Sequence, residues 1–255
     1  MRLRGARILI SNDDGINAAG LKVAEKIAKS FSDDVWVVAP ESEQSASGHS
    51  LTITLPLRVR KINARKFAVN GTPADSVLLA VQHIIPGKKP DLVLSGVNAG
   101  GNLGEDITYS GTVAAAMEGA LLGIKSIALS QARIYGENVR WAAAEHHGPR
   151  IIRKLVREDW PMNVLMNVNF PDVPATKVGS PEFTVQGRRK IGNAVATGQD
   201  PRGYDYVWIE TERREDPLFR GSDLKAVNEG RISITPVCLD LTHRPTVKAL
   251  RKIFE

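Results

Sequence analysis

Hydrophobic and polar positions follow one another along the chain in blocks that predict a β-α-β order. Residues 7–12 and 34–40 are apolar runs with little alternation, which is typical of strands buried on both faces of a sheet. Between them, residues 21–31 carry apolar side chains three and four positions apart, the spacing of an amphipathic helix. This order within the first 40 residues predicts a right-handed crossover and a parallel sheet.

The same succession of elements continues beyond residue 40. Strands are predicted over residues 91–95, 126–129 and 163–169, a hairpin over residues 57–62 and 66–69, and helices over residues 74–84, 111–122 and 139–156. Residues 183–188 and 204–212 then alternate as two hairpin strands joined by residues 191–203, before a strand over 231–236 and a helix over 246–254. We predict one α/β domain over residues 1–255, with a mainly parallel sheet and a C-terminal β-hairpin that projects over about residues 183–212.

Composition narrows the class of protein. Hydrophobic residues make up 42% of the 255 positions and charged residues 24%, which is typical of a globular domain and argues against a disordered chain. Because only 5% are aromatic, the core must be built from aliphatic side chains, as in a buried parallel sheet. The single cysteine, Cys238, excludes an intramolecular disulfide framework and a cysteine-cluster metal site, and its apolar neighbours in sequence predict a buried thiol.

Net charge and the length of apolar runs bear on partners and location. The formal net charge of +6 suits anionic ligands such as phosphates but does not by itself select nucleic acid. No apolar stretch approaches the ~20 residues of a membrane span, and the run at residues 8–10 is too short for the core of a signal peptide. We expect a cytoplasmic protein with no membrane partner and no stable nucleic-acid partner.

Three unusually polar segments follow predicted strands. They are residues 11–15, 40–48 and 95–102. In an open parallel sheet, ligands bind beyond the carboxyl ends of the strands, at the point where strand order reverses. We therefore expect the three loops to meet at one edge of the sheet and to carry the chemistry.

Asp13 and Asp14 come directly after the first predicted strand. Adjacent ionised carboxylates repel each other, and a cation at this point would offset their charge. Mg²⁺ and Mn²⁺ bind carboxylate, hydroxyl and amide oxygens, so Ser45 and Asn98 in the other two loops are candidates to complete a site. The alternative is structural: one aspartate caps the next helix and the other faces water, while Ser45 and Asn98 are ordinary loop and turn residues.

Residues 109–116 predict the start of a helix and a second part of the site. Ser110 is a candidate N-cap, and the exposed amides of Gly111 and Thr112 together with the helix dipole would form an anion site. An ordinary capped helix is the alternative. Because the segment follows a Gly/Asn-rich loop and lies opposite the predicted metal, phosphate binding is the better interpretation.

Motifs of several other enzyme classes are absent from the sequence. There is no GxxxxGK[ST], no GxGxxG after the first strand, no GxSxG and no HExxH. A P-loop nucleotide triphosphatase and a nicotinamide-dependent oxidoreductase are therefore disfavoured.

Several motifs in combination resemble the stationary-phase survival protein family, SurE. They are ISNDDG at residues 10–15, VAP at 38–40 with Ser45 in the next loop, NGTPAD at 70–75, SGVNAGGN at 95–102 and YSGTVAAAMEG at 109–119. They occur in that family's order and cover most of the first 120 residues, a highly specific combination. The rest matches more loosely, through NVNFP at 167–171 and the hairpin. NAAG at residues 17–20 departs from the HAPG usual in the family.

The resemblance implies a Rossmann-like three-layer core and a metal-dependent phosphatase that hydrolyses nucleoside 5′-monophosphates to nucleoside and phosphate, with 3′-monophosphates left open. It implies a homo-dimer or homo-tetramer with exchanged C-terminal segments. It also implies one divalent ion, Mg²⁺ or Mn²⁺, held by Asp13, Asp14, Ser45 and Asn98, with Ser47 as the alternative to Ser45.

The chemical hypothesis is metal-assisted attack of water on phosphorus, with Asp13 or Asp14 orienting the water or accepting its proton. A covalent aspartyl-phosphate ranks second, because a carboxylate that ligates the ion is a poorer nucleophile. The competing function is a non-catalytic nucleotide- or RNA-binding module that uses residues 188–190, RRK, although no aromatic residues are interleaved there. The expected phosphate or substrate contacts are Asn98, Asn102, Ser110, Gly111 and Thr112.

Overall fold

The structure is a computed structural model that describes residues 1, 3–191, 194–210, 213–215 and 219–253. Its strands are β1 (Ile8–Ser11), β2 (Val35–Pro40), β3 (Val59–Asn63), β4 (Lys66–Val69), β5 (Leu92–Ala99), β6 (Lys125–Gln131), β7 (Val164–Phe170), β8 (Gly179–Phe183), β9 (Arg189–Ile191), β10 (Val195–Gln199), β11 (Asp205–Ile209), β12 (Arg213–Glu215) and β13 (Arg231–Cys238). Its α-helices are α1 (Ala19–Lys29), α2 (Pro73–Leu79), α3 (Gly111–Leu121), α4 (Ala142–Leu155), α5 (Asp223–Asn228) and α6 (Arg244–Leu250). Short helical turns over Ala80–Ile84 and Arg251–Ile253 continue α2 and α6, and two more span Gly104–Thr108 and Ala175–Lys177.

Within the described ranges, nine strands form one mixed sheet in the order β3-β4-β2-β1-β5-β6-β7-β13-β8. The six strands from β4 to β7 run parallel, whereas β3 is antiparallel to β4 and β13 is antiparallel to β7. The chain passes from β1 to β2 on one side and then to β5 on the other. Strand order therefore reverses at β1, and the predicted mainly parallel α/β sheet is confirmed.

Helices cover both faces of this sheet. On one face α1 packs against α4, and Ile8 and Ile10 of β1 belong to the same apolar cluster as Ile27 of α1. On the other face α2 packs against α3, over a second cluster that contains Leu9 and Val38. Successive residues of β1 thus face different layers, as the pleat of a strand requires. The three-layer core is confirmed.

The starts of α2 and α3 are determined by local side chains. The Thr72 hydroxyl accepts a hydrogen bond from the N–H of Asp75 (3.0 Å), whose carboxylate accepts one from the N–H of Thr72 (2.9 Å). Pro73 occupies the first helical position, where no N–H is needed. At α3 the Ser110 hydroxyl accepts from the N–H of Val113 (3.0 Å), which confirms the predicted N-cap.

The strand predicted over residues 91–95 is longer in the structure. After an irregularity in the ladder, Asn98 and Ala99 of β5 pair with Ser130 and Gln131 of β6. The prediction that the polar segment 95–102 is a loop is therefore wrong in its first part. As a consequence, Asn98 is held by strand pairing rather than by a turn.

The projecting hairpin is present: its second strand, β11, lies within the predicted residues 204–212, whereas its first strand differs from the one predicted. β10 pairs antiparallel with β11, and β9 pairs with β12. The prediction of a hairpin strand over residues 183–188 is wrong, because Phe183 ends β8, the edge strand that pairs with β13. Residues 192–193 of the predicted connection, residues 211–212 of the second predicted strand and residue 254 of the predicted terminal helix lie outside the described residues.

Two further predictions concern Cys238 and the membrane. The cysteine is exposed rather than buried, because it lies at the end of β13, where alternate positions face outwards. None of the helices in the described ranges has the length and apolar character that a bilayer span requires.

Candidate active site

A cleft of about 600 Å³ opens at the carboxyl ends of β1 and β5, where strand order reverses. This is the position at which open α/β sheets bind ligands. The three polar segments predicted to converge do meet there, and the segments after β6 and before α3 join them. The residues that line the cleft include Asp13, Asp14, Glu43, Ser45, Asn98, Asn102, Asp106, Tyr109, Ser110, Arg133, Tyr135 and Trp141.

Asp13 is the most buried carboxylate of the cleft, with 5% of the residue exposed. The hydroxyl of Thr112 donates to its Oδ1, and its backbone carbonyl accepts from the N–H of Gln44 (2.8 Å). Burial, aided by the charge of Asp14 and opposed by the Thr112 hydrogen bond, raises the pKa of the Asp13 carboxyl from 3.8 to about 6. A Cβ at Gly111 would lie 2.7 Å from the Cβ of Asp13, so only glycine allows α3 to begin here.

Asp14 lies beside Asp13, and its Oδ2 accepts from the N–H of Ala99 (3.2 Å). Burial raises the pKa of the Asp14 carboxyl despite that hydrogen bond. The negative charge of Glu43 adds to the rise and the positive charge of Arg133 opposes it. Both adjacent carboxylates therefore lie in surroundings that disfavour their ionised form.

Ser45 lines the cleft from the loop between β2 and β3, and Asn98 lines it from the end of β5. The Ser45 hydroxyl donates to Glu43 (2.8 Å), and the Asn98 Nδ2 donates to the carbonyl of Gly100 (2.9 Å). Each donor is thereby occupied, which leaves the Ser45 oxygen and the Asn98 Oδ1 able to accept a cation. The buried Ser47 hydroxyl has no partner in the described structure, and Ser47 is not among the residues that line the cleft.

The four side chains suit a hard divalent cation. Within the described residues, no hydrogen bond ends on Asp13 Oδ2, Asp14 Oδ1 or Asn98 Oδ1. Two carboxylates, a hydroxyl and an amide are the oxygen donors that Mg²⁺ and Mn²⁺ take, while water and substrate supply the rest. No cluster of three His, Cys, Asp or Glu side chains able to hold a metal is found in the same ranges. This agrees with a donor set in which only two members are carboxylates.

The predicted phosphate contacts occupy three kinds of position. Asn102 and Ser110 line the cleft, but the Asn102 amide donates to the Ser130 hydroxyl (2.8 Å) and the Ser110 hydroxyl caps α3. Thr112 is fully buried and its hydroxyl is directed at Asp13. The side chain of Thr112 therefore acts on the carboxylate, and a contact of Gly111 or Thr112 with phosphate would come from the backbone amides at the start of α3.

Sequence reasoning missed several residues that line the cleft, among them Glu43, Arg133, Tyr135 and Trp141. Glu43, which accepts the Ser45 hydroxyl, lies two positions before Ser45 in a loop already singled out. Arg133, Tyr135 and Trp141 follow β6. The signal that could have found Arg133 is its place just beyond a parallel strand at the same sheet edge, which is the criterion that selected the other loops.

The basic segment at residues 188–190 does not form a separate cationic surface around Arg189. Its guanidinium pairs with Asp106 and donates to the carbonyl of Gly101 (3.1 Å). These contacts join β9 to the loop beside the cleft. They do not favour the nucleic-acid-binding alternative.

Comparisons with known proteins agree with this architecture. The sequence model of the family described as Survival protein SurE matches residues 8–193. The chain belongs to the SurE family. The 5′-nucleotidase SurE of Paramagnetospirillum magneticum is 62% identical over 248 residues, which cover 97% of this chain and 95% of that protein. The 5′-nucleotidase SurE of Rhodospirillum rubrum is 50% identical over 255 residues, which cover 99% of this chain and 97% of that protein.

A solved SurE structure has the same fold. The crystal structure of the SurE protein from Aquifex aeolicus superposes with a TM-score of 0.85 at 41% sequence identity, covering 98% of this chain and all of that one. The predicted resemblance to SurE is therefore confirmed. The departure from the usual SurE motif at residues 17–20 lies on the wall of the cleft, which Ala18, Ala19 and Gly20 line.

Proposed function

We propose that this SurE-family chain is a 5′-nucleotidase that hydrolyses nucleoside 5′-monophosphates to nucleoside and phosphate and depends on one divalent cation, Mg²⁺ or Mn²⁺. We include 3′-monophosphates as substrates of the same site. The observation that carries the proposal is the meeting of Asp13, Asp14, Ser45 and Asn98 in one cleft, each with an oxygen able to accept a cation. The full-length similarity to two proteins named 5′-nucleotidase SurE supports the reaction class.

The metal-binding role is assigned to these four oxygen donors. When bound, a divalent cation supplies Lewis-acid polarisation of the phosphate and lowers the pKa of water. Asp13 is held in place by the Thr112 hydroxyl, and Asp14 by the N–H of Ala99. One of these two carboxylates orients the attacking water or accepts its proton. The N–H groups at the start of α3 stabilise the charge that develops on the phosphoryl oxygens.

Phosphate release from a panel of 5′- and 3′-nucleoside monophosphates tests this function directly. The assay is run with Mg²⁺, with Mn²⁺ and with chelator. We expect release that chelator abolishes and that either ion restores. Binding of nucleotides without release under any metal would instead establish the non-catalytic module.

We also infer that the hairpin β10–β11 joins copies of this chain into a homo-dimer or homo-tetramer. Trp208, Val207 and Ile209 lie on it with 63–72% of each residue exposed. Apolar side chains grouped in this way mark interaction surfaces. Light scattering after gel filtration is expected to give a multiple of the 27.7 kDa chain mass, and Trp208→Ser is expected to lower it. A monomeric wild-type protein, or an unchanged mass for Trp208→Ser, would contradict this inference.

A further inference from the structure

Arg133 occupies a defined position at the edge of the cleft. It lies two residues beyond the end of β6, and the backbone is held by hydrogen bonds on both sides of it. The N–H of Ala132 donates to the carbonyl of Phe170 (2.9 Å), and the N–H of Ile134 donates to the carboxylate of Asp172 (3.0 Å). The side chain of Arg133 therefore starts from fixed backbone, although the side chain itself is exposed.

The guanidinium of Arg133 has an aromatic neighbour, and its positive charge acts on the Asp14 carboxylate at a distance. It lies over the ring of Tyr135, 5.2 Å from the ring centroid. No hydrogen bond or ion pair of Arg133 is present in the part of the chain that the structure describes. In the same ranges it is the one Lys, Arg or His side chain that lines the cleft. A cation so placed is available to a ligand.

The charges of the cleft show what Arg133 would contribute. Asp13, Asp14 and Glu43 bring three carboxylates to the wall of the cleft, whereas the carboxylate of Asp106 is already paired with Arg189. One divalent ion leaves a single negative charge uncompensated when all three are ionised. The positive charge of Arg133 makes the net charge of these groups zero before a phosphate dianion enters. Without it, the dianion would approach a negative site.

We propose that Arg133 binds the phosphate group of the substrate. The inference rests on the proposed nucleotidase function and assigns a phosphate contact that is separate from the metal ligands. A guanidinium donates two parallel hydrogen bonds to phosphate oxygens, a geometry that a lysine ammonium does not reproduce. The ring of Tyr135 holds the guanidinium in place through its face.

The chain offers a matched control for Arg133. Arg140 follows on the same segment, is exposed, and pairs with Glu137 (3.3 Å) and Asp172 (3.8 Å) outside the cleft. Arg133→Ala and Arg140→Ala each remove one guanidinium from the segment between β6 and α4. Arg133→Lys keeps the charge and removes the bidentate geometry.

The experiment measures three quantities for the wild type and the three variants. They are the Kd of inorganic phosphate for the Mn²⁺-loaded protein by calorimetry, the Kd of Mn²⁺ alone, and kcat and KM for a nucleoside 5′-monophosphate. For Arg133→Ala we expect phosphate binding about tenfold weaker and kcat/KM about 10- to 100-fold lower. The Kd of Mn²⁺ should stay within about twofold, because Arg133 is not a ligand. Arg133→Lys should lie in between, and Arg140→Ala should match the wild type.

Several outcomes would overturn the assignment. One is a phosphate Kd for Arg133→Ala within about twofold of the wild-type value. Another is an equal loss in Arg140→Ala, which would indicate a general effect on the segment, or an equal weakening of Mn²⁺, which would indicate an effect on the metal site. If the wild type binds phosphate but releases none from any nucleotide, the nucleotidase proposal fails, and the calorimetry still decides the role of Arg133.

Discussion

Carboxyl groups at the two ends of the parallel strands have pKa values shifted in opposite directions. At the amino ends of the strands, Asp34 accepts hydrogen bonds from Arg7 (2.8 Å) and Trp36 (2.8 Å), and Asp91 accepts from Lys88 (2.8 Å). Burial would raise the pKa of the Asp34 and Asp91 carboxyls, but these donors outweigh it and the pKa of each lies below its ordinary value.

At the carboxyl ends, burial instead raises the pKa of Asp13 and Asp14, because their hydrogen bonds come from a neutral hydroxyl and backbone N–H groups, which do not outweigh it. Carboxylates that serve folding receive their cations from the chain itself. Asp13 and Asp14 at the cleft receive no hydrogen bond from a cationic side chain of the described residues, and this difference marks the functional end of the sheet.

The largest difference in activity is expected between two Asp→Asn variants, one at each end of the parallel strands. Asp13→Asn should lower phosphate release about 10²- to 10⁴-fold, because it removes a ligand oxygen's charge and a candidate proton acceptor. With chelator present its Tm should equal or exceed that of the wild type, since a buried, poorly compensated charge is lost. Asp34→Asn should keep full activity. An Asp13→Asn variant with undiminished turnover would remove Asp13 from the mechanism.

Removing the hydrogen bond from Thr112 to Asp13 should have the next largest effect. Thr112→Val removes the hydroxyl that donates to Asp13 while keeping the shape of the side chain. We expect kcat/KM to fall about tenfold and stability to fall by about 1–2 kcal/mol, the usual cost of an unpaired buried acceptor. Thr112→Ser keeps the donor and should restore most of both. Equal losses in the two variants, measured by steady-state kinetics and urea unfolding, would mean that packing rather than the hydrogen bond matters.

Substitutions of Ser45 and Ser47, which lie in the same loop, test which of the two serines binds the metal ion. Ser45→Ala should weaken Mn²⁺ binding, measured by calorimetry, about tenfold or less, because a neutral hydroxyl is a modest ligand beside two carboxylates. Ser47→Ala removes a hydroxyl that has no partner in the described structure and should leave the Kd unchanged. The reverse result would transfer the ligand role to Ser47.

The smallest effect concerns acid stability at the amino edge. Because the pKa of Asp34 is lower in the folded state than in the unfolded chain, its ionisation stabilises the fold above about pH 4. That contribution is lost as the pH falls through the folded-state pKa. Asp34→Asn should cost about 0.5–1 kcal/mol at pH 7, after allowance for solvent screening, and progressively less as the pH falls below about 4. Urea unfolding from pH 2 to pH 7 measures the difference, and a constant difference over that range would contradict it.

Strand and loop patterns predicted most of the core and selected the four candidate oxygen donors, because each of these lies in a short polar segment at or beyond the end of an apolar run. The same reasoning placed Asn98 in a loop, since Gly96 and Gly100 are typical of turns; in the structure the ladder with β6 resumes at Asn98. It also placed the first strand of the hairpin too early, because residues 183–188 alternate in the manner of a strand. Only the pairing of Phe183 with Ile234 of β13 assigns that segment to the main sheet.

What the sequence alone determined is local: buried strands, the caps of α2 and α3, and the oxygen-bearing residues at or just beyond the carboxyl ends of β1, β2 and β5. These depend on neighbours a few positions away, so the order of residue types is enough to reveal them. The tertiary structure alone decided which charges meet. It directed Thr112 to Asp13, paired Arg189 with Asp106, and left Arg133 facing the cleft, across sequence separations of up to 99 residues. The physical reason is that electrostatic balance depends on distance in space and on burial, neither of which spacing along the chain contains.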